Sequence, residues 1–241
     1  MATYFDDNDI LCLHLDNDVT DAVGGHTPVN HGVTFDNSVK KFGYSGVFDG
    51  SDYVNVPDHA DFDFGAGELT IDCWARWGTK PTGNEVIIGQ YDSGTNQRAW
   101  LFMANSSGFQ ANFSDDGTSG GGHFVALTWT FTIVADTWYH LALVRSGNNA
   151  ILFIDGTLQS SQAMAYTIHN STADVTVGCF LNSGSPASYI TARIDELRVS
   201  DTARWTENFT PETEAYDFSP PRSRPRYIYP VDKIPPAALV W

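Results

Sequence analysis

The stretch Trp138–Gly156 constrains this chain more than any other. It reads Trp-Tyr-His-Leu-Ala-Leu-Val-Arg, then Ser-Gly-Asn-Asn, then Ala-Ile-Leu-Phe-Ile, then Asp-Gly. Two short runs rich in apolar, β-branched and aromatic residues on either side of a turn cluster signal an antiparallel hairpin. In the first run Trp138, His140, Ala142 and Val144 alternate with Tyr139, Leu141 and Leu143, so both faces are largely apolar. A strand wetted on one side shows a polar residue at every second position. This hairpin is therefore expected inside a larger β structure, covered on both faces. Asp155-Gly156 supplies the left-handed positions of the next tight turn.

The remaining chain carries the same signature. Residues 9–16 place Leu11, Leu13 and Leu15 on one face, with Cys12 and His14 on the other. Val47-Phe48 and Tyr53–Val56 read as strands around an Asp-Gly turn. In Leu69–Trp77, Leu69, Ile71, Cys73, Ala75 and Trp77 oppose Thr70, Asp72, Trp74 and Arg76, the alternation of a strand with one face towards a core. Val86–Gln90, Arg98–Ala104, Gly108–Phe113, Phe124–Ile133, Asp174–Phe180 and Tyr189–Val199 continue the pattern. The glycine-rich Asp115–Gly122 lacks a Gly-Lys-Ser/Thr ending and a following helix, so it reads as a surface loop and not as a phosphate cradle. Helical periodicity is nowhere sustained; the nearest approach is a single turn near Asp201–Trp205. The expected fold class is all-β, a two-sheet antiparallel sandwich, and 241 residues suit one such domain. Cys12, Cys73 and Cys179 lie in apolar runs, odd in number and widely spaced, and are expected as buried thiols.

A formal net charge of −16 argues against a nucleic-acid groove, which needs clustered Lys and Arg. No window is long and apolar enough to span a membrane. The N-terminus shows neither a basic region nor an apolar run of the signal-peptide kind, so no secretion signal is expected in the chain. Composition changes after Phe218: six of the eleven prolines follow, which rules out a central strand or helix and favours an extended arm. Arg222, Arg224, Arg226, Tyr227, Tyr229 and the terminal Trp241 make it basic and aromatic, unlike a plain disordered tail. Such an arm docks, either on its own acidic domain or on a neighbouring subunit.

Two readings stand for Asp16, Asp18 and Asp21 at the start of the loop Asn17–Gly32. Aspartates cap turns through their own backbone; several hard oxygens on a flexible loop also suit Ca²⁺. Glycoside hydrolysis needs two carboxylates facing each other across a sugar, and no stretch supplies them on one strand. Asp195 and Glu196 are adjacent, so regular pleating would point them to opposite faces. Trp74, Trp77, Trp100 and Trp129 are expected as core, since large aromatics dominate sandwich interiors.

Several stretches together resemble the laminin-G-like, concanavalin A-like jelly-roll domains, in particular their bacterial and phage branch. They are Phe42-Gly43-Tyr44-Ser45-Gly46-Val47-Phe48-Asp49-Gly50, Leu69-Thr70-Ile71-Asp72-Cys73-Trp74, Trp138–Arg145, Phe153-Ile154-Asp155-Gly156, Ile194–Ser200 and the closing Ala203-Arg204-Trp205-Thr206-Glu207-Asn208-Phe209-Thr210-Pro211. The resemblance implies two packed, curved antiparallel sheets over residues 1–218, followed by the arm 219–241. Such domains often hold Ca²⁺ between the N-terminal loop and the Ile-Asp-Glu-Leu strand, which here implies Asp16 or Asp21 together with Asp195. Their members include glycan-binding modules, adhesion domains, glycosidases and phage structural proteins. The expectation is a non-catalytic structural or adhesion protein of a virion or extracellular surface. Its arm would attach it to other assembly proteins or to further copies of itself. The alternative is a calcium-dependent carbohydrate-binding module with glycans as partners.

Overall fold

A computed structural model describes residues 8–216. The arm residues Arg222, Arg224, Arg226, Tyr227, Tyr229 and Trp241 lie outside the described residues. In chain order the strands are β1 (Asp9–Leu13), β2 (Val29–His31), β3 (Thr34–Asp36), β4 (Ser45–Asp49), β5 (Tyr53–Val56), β6 (Leu69–Arg76), β7 (Glu85–Asp92), β8 (Gln97–Asn105), β9 (Gly108–Gly117), β10 (Phe124–Thr130), β11 (Trp138–Ser146), β12 (Asn149–Ile154), β13 (Thr157–Ala163), β14 (Val175–Val177), β15 (Phe180–Asn182), β16 (Ser185–Ala187) and β17 (Thr191–Ser200). One 3₁₀ turn, Ala60–Phe62, is the only helical element among the described residues.

The strands form two sheets. One runs β13-β12-β11-β6-β17-β4-β3, with β1 beside β4 on the same edge of β17. The other runs β10-β9-β8-β7-β14-β5-β2, with β15 and β16 attached at β7. Inward residues of both sheets make one core: Leu11, Leu13 and Leu15, Leu69, Ile71 and Trp77, Trp100, Phe102 and Phe109, Leu141 and Leu143. Burying these side chains together is the main force that closes a two-layer sandwich. Trp77, Trp100 and Trp129 lie in this core as expected, whereas Trp74, 6% exposed, lies outside it on the outer face of its sheet. The three cysteines are buried free thiols.

The Trp138–Gly156 hairpin forms as read, with a two-residue Gly147-Asn148 turn between paired Ser146 and Asn149. Asp155 and Gly156 both take positive φ in the next turn, where Ile154 pairs with Thr157. β11 lies inside its sheet, between β6 and β12, and both its faces are covered. Tyr139, Leu141 and Leu143 face the sandwich core, whereas Ala142 and Val144 join Ile151 and Phe153 beneath Ala203, Trp205 and Phe209. The cover on the outer face is thus the closing segment 201–216.

Three expectations are corrected. The Asp49–Asp52 turn connects strands of different sheets, because β4 pairs with β17 while β5 pairs with β14 and β2. Asp201–Trp205 is not helical; it runs out along the outer sheet face, and the helical turn falls at Ala60–Phe62. Asp195 and Glu196 do not alternate: the pairing of β17 with β6 shifts register between Asp195 and Arg198, and Glu196 sits at φ 50°. This extra residue keeps Ile194, Leu197 and Val199 in the core. Glu196 turns instead to His14 and the backbone of Tyr216.

Candidate functional site

The polar half of β6 was expected to face water. Thr70 and Asp72 are instead fully buried and Trp74 is 6% exposed, because the closing segment lies over them. A carboxylate and a guanidinium can be buried only if paired and hydrogen-bonded. Arg198 on β17 meets this need: its Nε donates to Asp72 Oδ1 at 3.0 Å and its Nη2 to Asp72 Oδ2 at 3.2 Å. The Tyr216 hydroxyl also donates to Asp72, and the Arg198 guanidinium lies 4.1 Å from the Tyr216 ring centre. Burial would raise the Asp72 pKa, but Arg198 and His140 hold it well below the carboxylate range. Asp9 accepts from Arg204 and from the Ser200 hydroxyl. Glu196 takes the Tyr216 N–H at 2.9 Å and meets His14 Nδ1 at 2.8 Å. This network fastens 201–216 onto the sheet, and the stacked Trp205 and Phe209, 3.9 Å between ring centres, complete the seal against Phe153 and His140.

Beside the sealed zone the same face opens into a cleft of about 610 Å³. Its floor is Trp74 and the half-buried Trp138; one wall is Lys41 and Phe42, the other Thr210–Thr213, with Asp155 at the end. The Lys41 ammonium sits 3.5 Å from the centre of the Trp74 ring, and Phe42 meets that ring edge-on at 6.2 Å. Burial lowers the Lys41 pKa, while Asp155 and Asp195 act in the opposite direction. Trp74 Nε1 is buried and donates to nothing. Asp155 Oδ1 accepts the His140 N–H at 2.8 Å, which leaves its other oxygen for the cleft.

The expected metal acids explain how Lys41 and Phe42 are placed. Asp195 Oδ2 accepts the N–H groups of Lys41 and Phe42, each at 2.9 Å, and Asp16 accepts the N–H of Tyr44. The two carboxylates grip the 41–44 loop from its two ends. Gly43 makes this possible, since a Cβ there would run into the Asp16 carboxylate. Asp21 lies elsewhere: its oxygens accept four backbone N–H groups, from Cys12, Val23, Gly25 and His26, which is the turn-capping arrangement.

Asp195 Oδ1 is buried without a hydrogen-bond partner. Burial pushes the Asp195 pKa up to about 7 against its two backbone hydrogen bonds, with Glu196 and Asp16 adding to the rise. A buried orphan oxygen, a second carboxylate acting on it and surplus negative charge fit a hard cation. Asp195 supplies the orphan oxygen and Asp16 the second charge, whereas each Asp21 oxygen already accepts two backbone N–H groups.

Sequence reasoning singled out Asp16, Asp21 and Asp195 but missed Lys41, Trp138 and the 210–213 wall. Lys41 has no signal of its own in a turn-rich stretch. Trp138 was absorbed into the strand pattern, although as its first residue it lies at the end of the covered stretch.

Comparison with known proteins follows the fold. The family described as the concanavalin A-like lectin/glucanases superfamily, Laminin_G_3, matches residues 48–208. Among solved structures, the binding domain of Paraclostridial Mosquitocidal Protein 1 aligns with TM-score 0.67 at 13% identity, over 82% of this chain and 49% of that one. Domain 4 of AbnA, a GH43 extracellular arabinanase from Geobacillus stearothermophilus, solved with arabinotriose, aligns with TM-score 0.61 at 16% identity, over 81% and 93%. The binding domain of Botulinum Neurotoxin DC, solved with SialylT, aligns with TM-score 0.62 at 16% identity, over 82% and 48%. The chain spans about half the length of the toxin binding domains it matches. A comparison with curated protein sequences finds no match. At these identities the likeness is one of fold: a lectin-like β sandwich, resembling binding domains more than catalytic ones.

Proposed function

The chain belongs to the concanavalin A-like lectin/glucanase superfamily, and on that premise we propose that it binds carbohydrate without cleaving it, in the cleft above Trp74 and Trp138. The composition of the cleft carries this reading. Sugars present apolar C–H faces and polar hydroxyl rims, and the cleft offers both complements: the half-buried Trp138 ring as the apolar surface, with Lys41, held over Trp74, and carboxylates around it. Its volume falls within the usual range for ligand sites, about 300–1,000 Å³. Mixed charge in the lining favours a neutral oligosaccharide over a polyanion.

The non-catalytic part rests on the carboxyls. A glycosidase acid must hold a proton near neutral pH and reach the glycosidic oxygen. Asp195 meets the first condition, with its pKa at about 7, but is fully buried with its bonded oxygen on backbone. Asp155 and Glu212 line the cleft, and Asp155 spends one oxygen on the His140 N–H of β11.

Ca²⁺ belongs to the proposal as a structural ion. Asp16 and Asp195 would hold it, and it would neutralise charge beneath the 41–44 loop that carries Lys41 and Phe42. The test is a glycan array with the wild type, Trp138→Ala and Lys41→Ala, each with Ca²⁺ and with chelator. Binding by the wild type that both substitutions weaken at least about tenfold is expected. Silence on the array, or reducing ends released from any bound glycan, would overturn it.

A second reading concerns 219–241. Six prolines with Arg222, Arg224, Arg226, Tyr227, Tyr229 and Trp241 support an attachment arm. Through it the domain would join a virion or another extracellular surface assembly, or further copies of itself. Deleting 219–241 should abolish incorporation into the particle while leaving glycan binding intact; unchanged incorporation counts against the arm.

A further inference from the structure

Away from the cleft, the N-terminal loop meets the 3₁₀ turn Ala60–Phe62. Asp21 shapes the loop by accepting the N–H groups of Val23, Gly25 and His26. The His26 ring is then fixed by stacking on the fully buried Phe62, 4.7 Å between ring centres, and by an edge contact with His59 at 5.1 Å. The His26 side chain is 2% exposed, and its Nε2 has no hydrogen-bond partner. A buried imidazole nitrogen left unbonded is costly.

What Nε2 faces is Asp61 Oδ2, 3.5 Å away. The same oxygen lies 3.1 Å from His59 Nδ1. His59 Nδ1 also accepts the Asp61 N–H at 3.2 Å, so it carries a lone pair in this geometry. A carboxylate oxygen and an unprotonated nitrogen 3.1 Å apart repel unless a proton or a metal ion lies between them. The three ligand atoms all lie within 4.8 Å of one another.

We propose that His26, His59 and Asp61 form a Zn²⁺ site. The donor set is the kind Zn²⁺ prefers, two imidazoles and a carboxylate, whereas Ca²⁺ and Mg²⁺ take oxygen shells. The spacing is close: a tetrahedral ion with bonds near 2.0–2.2 Å sets its ligands about 3.3–3.6 Å apart, and the two distances to Asp61 are 3.5 and 3.1 Å. Binding asks His59 to give up one long backbone contact and leaves the fold untouched. His59 and Asp61 are about half exposed, so water completes the coordination from the open side. The ion staples the loop between β1 and β2 to the connection between β5 and β6, two segments joined here by ring contacts.

The experiment is calorimetric titration of the metal-free full chain with Zn²⁺ in 1 mM-range Ca²⁺ (on the order of a sensor-site excess), repeated for His59→Gln and Asp61→Asn. Both side chains are exposed enough for the variants to fold. Co²⁺ in place of Zn²⁺ gives a visible absorption band that reports tetrahedral coordination. The expected result is one Zn²⁺ per chain, unaffected by Ca²⁺, with each variant at least about tenfold weaker. No heat of binding means that a proton bridges His59 and Asp61 and overturns the site. Equal affinity in both variants places the ion elsewhere and overturns it too.

Discussion

Replacing Asp72 by Asn tests whether the buried charge network holds the closing segment on the sheet. The substitution keeps the shape and removes the charge. Arg198, 1% exposed, loses its counter-charge and one of its two carboxylate acceptors, and its nearest remaining carboxylate is Asp9 at 3.8 Å, itself shared with Arg204. Breaking a buried ion pair by removing one member costs about 3–5 kcal/mol; because Asp9 remains in reach, the low end, about 3 kcal/mol, is expected. For a domain of this size that lowers Tm by about 6–12 °C. Urea unfolding should show the same loss without a change in slope. In a cycle of Asp72→Leu and Arg198→Met, each single variant leaves an unpaired buried charge and the double variant leaves none, so a coupling of about 2 kcal/mol is expected. Hydrogen exchange should localise the effect: amides of 203–216 become faster, while those of β7 and β8 keep their protection. A single-variant loss below about 1 kcal/mol, or losses that simply add in the double variant, would refute the idea that charge pairing fastens this segment.

Other outcomes follow from the same geometry. Asp195 has an ordinary pKa of 3.8 that burial raises to about 7, so the folded state binds its proton more tightly than the unfolded chain. Stability must then fall as pH rises from about 4 to about 7. Burial lowers the His14 pKa, but Glu196 overrides it and lifts the group above its usual range, so its contribution is likewise lost as pH rises. Urea titrations with chelator should show about 3 kcal/mol less stability at pH 8 than at pH 5, and Asp195→Asn should flatten that slope; a rise towards pH 8 contradicts it. Gly156→Ala combines a positive φ of 71° with a Cβ that meets the Phe209 carbonyl, so it should cost about 2 kcal/mol or more and free 203–211 in hydrogen exchange. Tyr216→Phe removes one hydrogen bond to a buried carboxylate and should cost about 1.5–3 kcal/mol by thermal melting.

Much of the fold could be read from alternation, because a period of two places alternate residues on one face whatever the partner strand. The β11–β12 hairpin, its turns and its covered outer face were all present in the run Trp138–Gly156. What covers that face could not be read there. Trp205 and Phe209 lie in a segment without periodicity, and only tertiary packing lays it across β11 and β12. The Asp72–Arg198 pair joins residues 126 positions apart, so neither strand alone signals that its charge is buried. The bulge at Glu196 likewise defeats a regular reading of Ile194–Ser200, since one inserted residue turns a side chain to the opposite face. For the candidate sites, Asp16 and Asp195 do converge, on the 41–44 loop. Asp21 proves to be the residue that folds the loop presenting His26.

The most direct measurement is a crystal structure of the chain with an oligosaccharide that scores on the array. Density for a sugar ring against Trp138, with a hydroxyl in reach of Lys41 or Asp155, is the predicted result. Sugar bound on the β7–β8 sheet face, or on loops remote from the 41–44 segment, would contradict the assignment of the cleft.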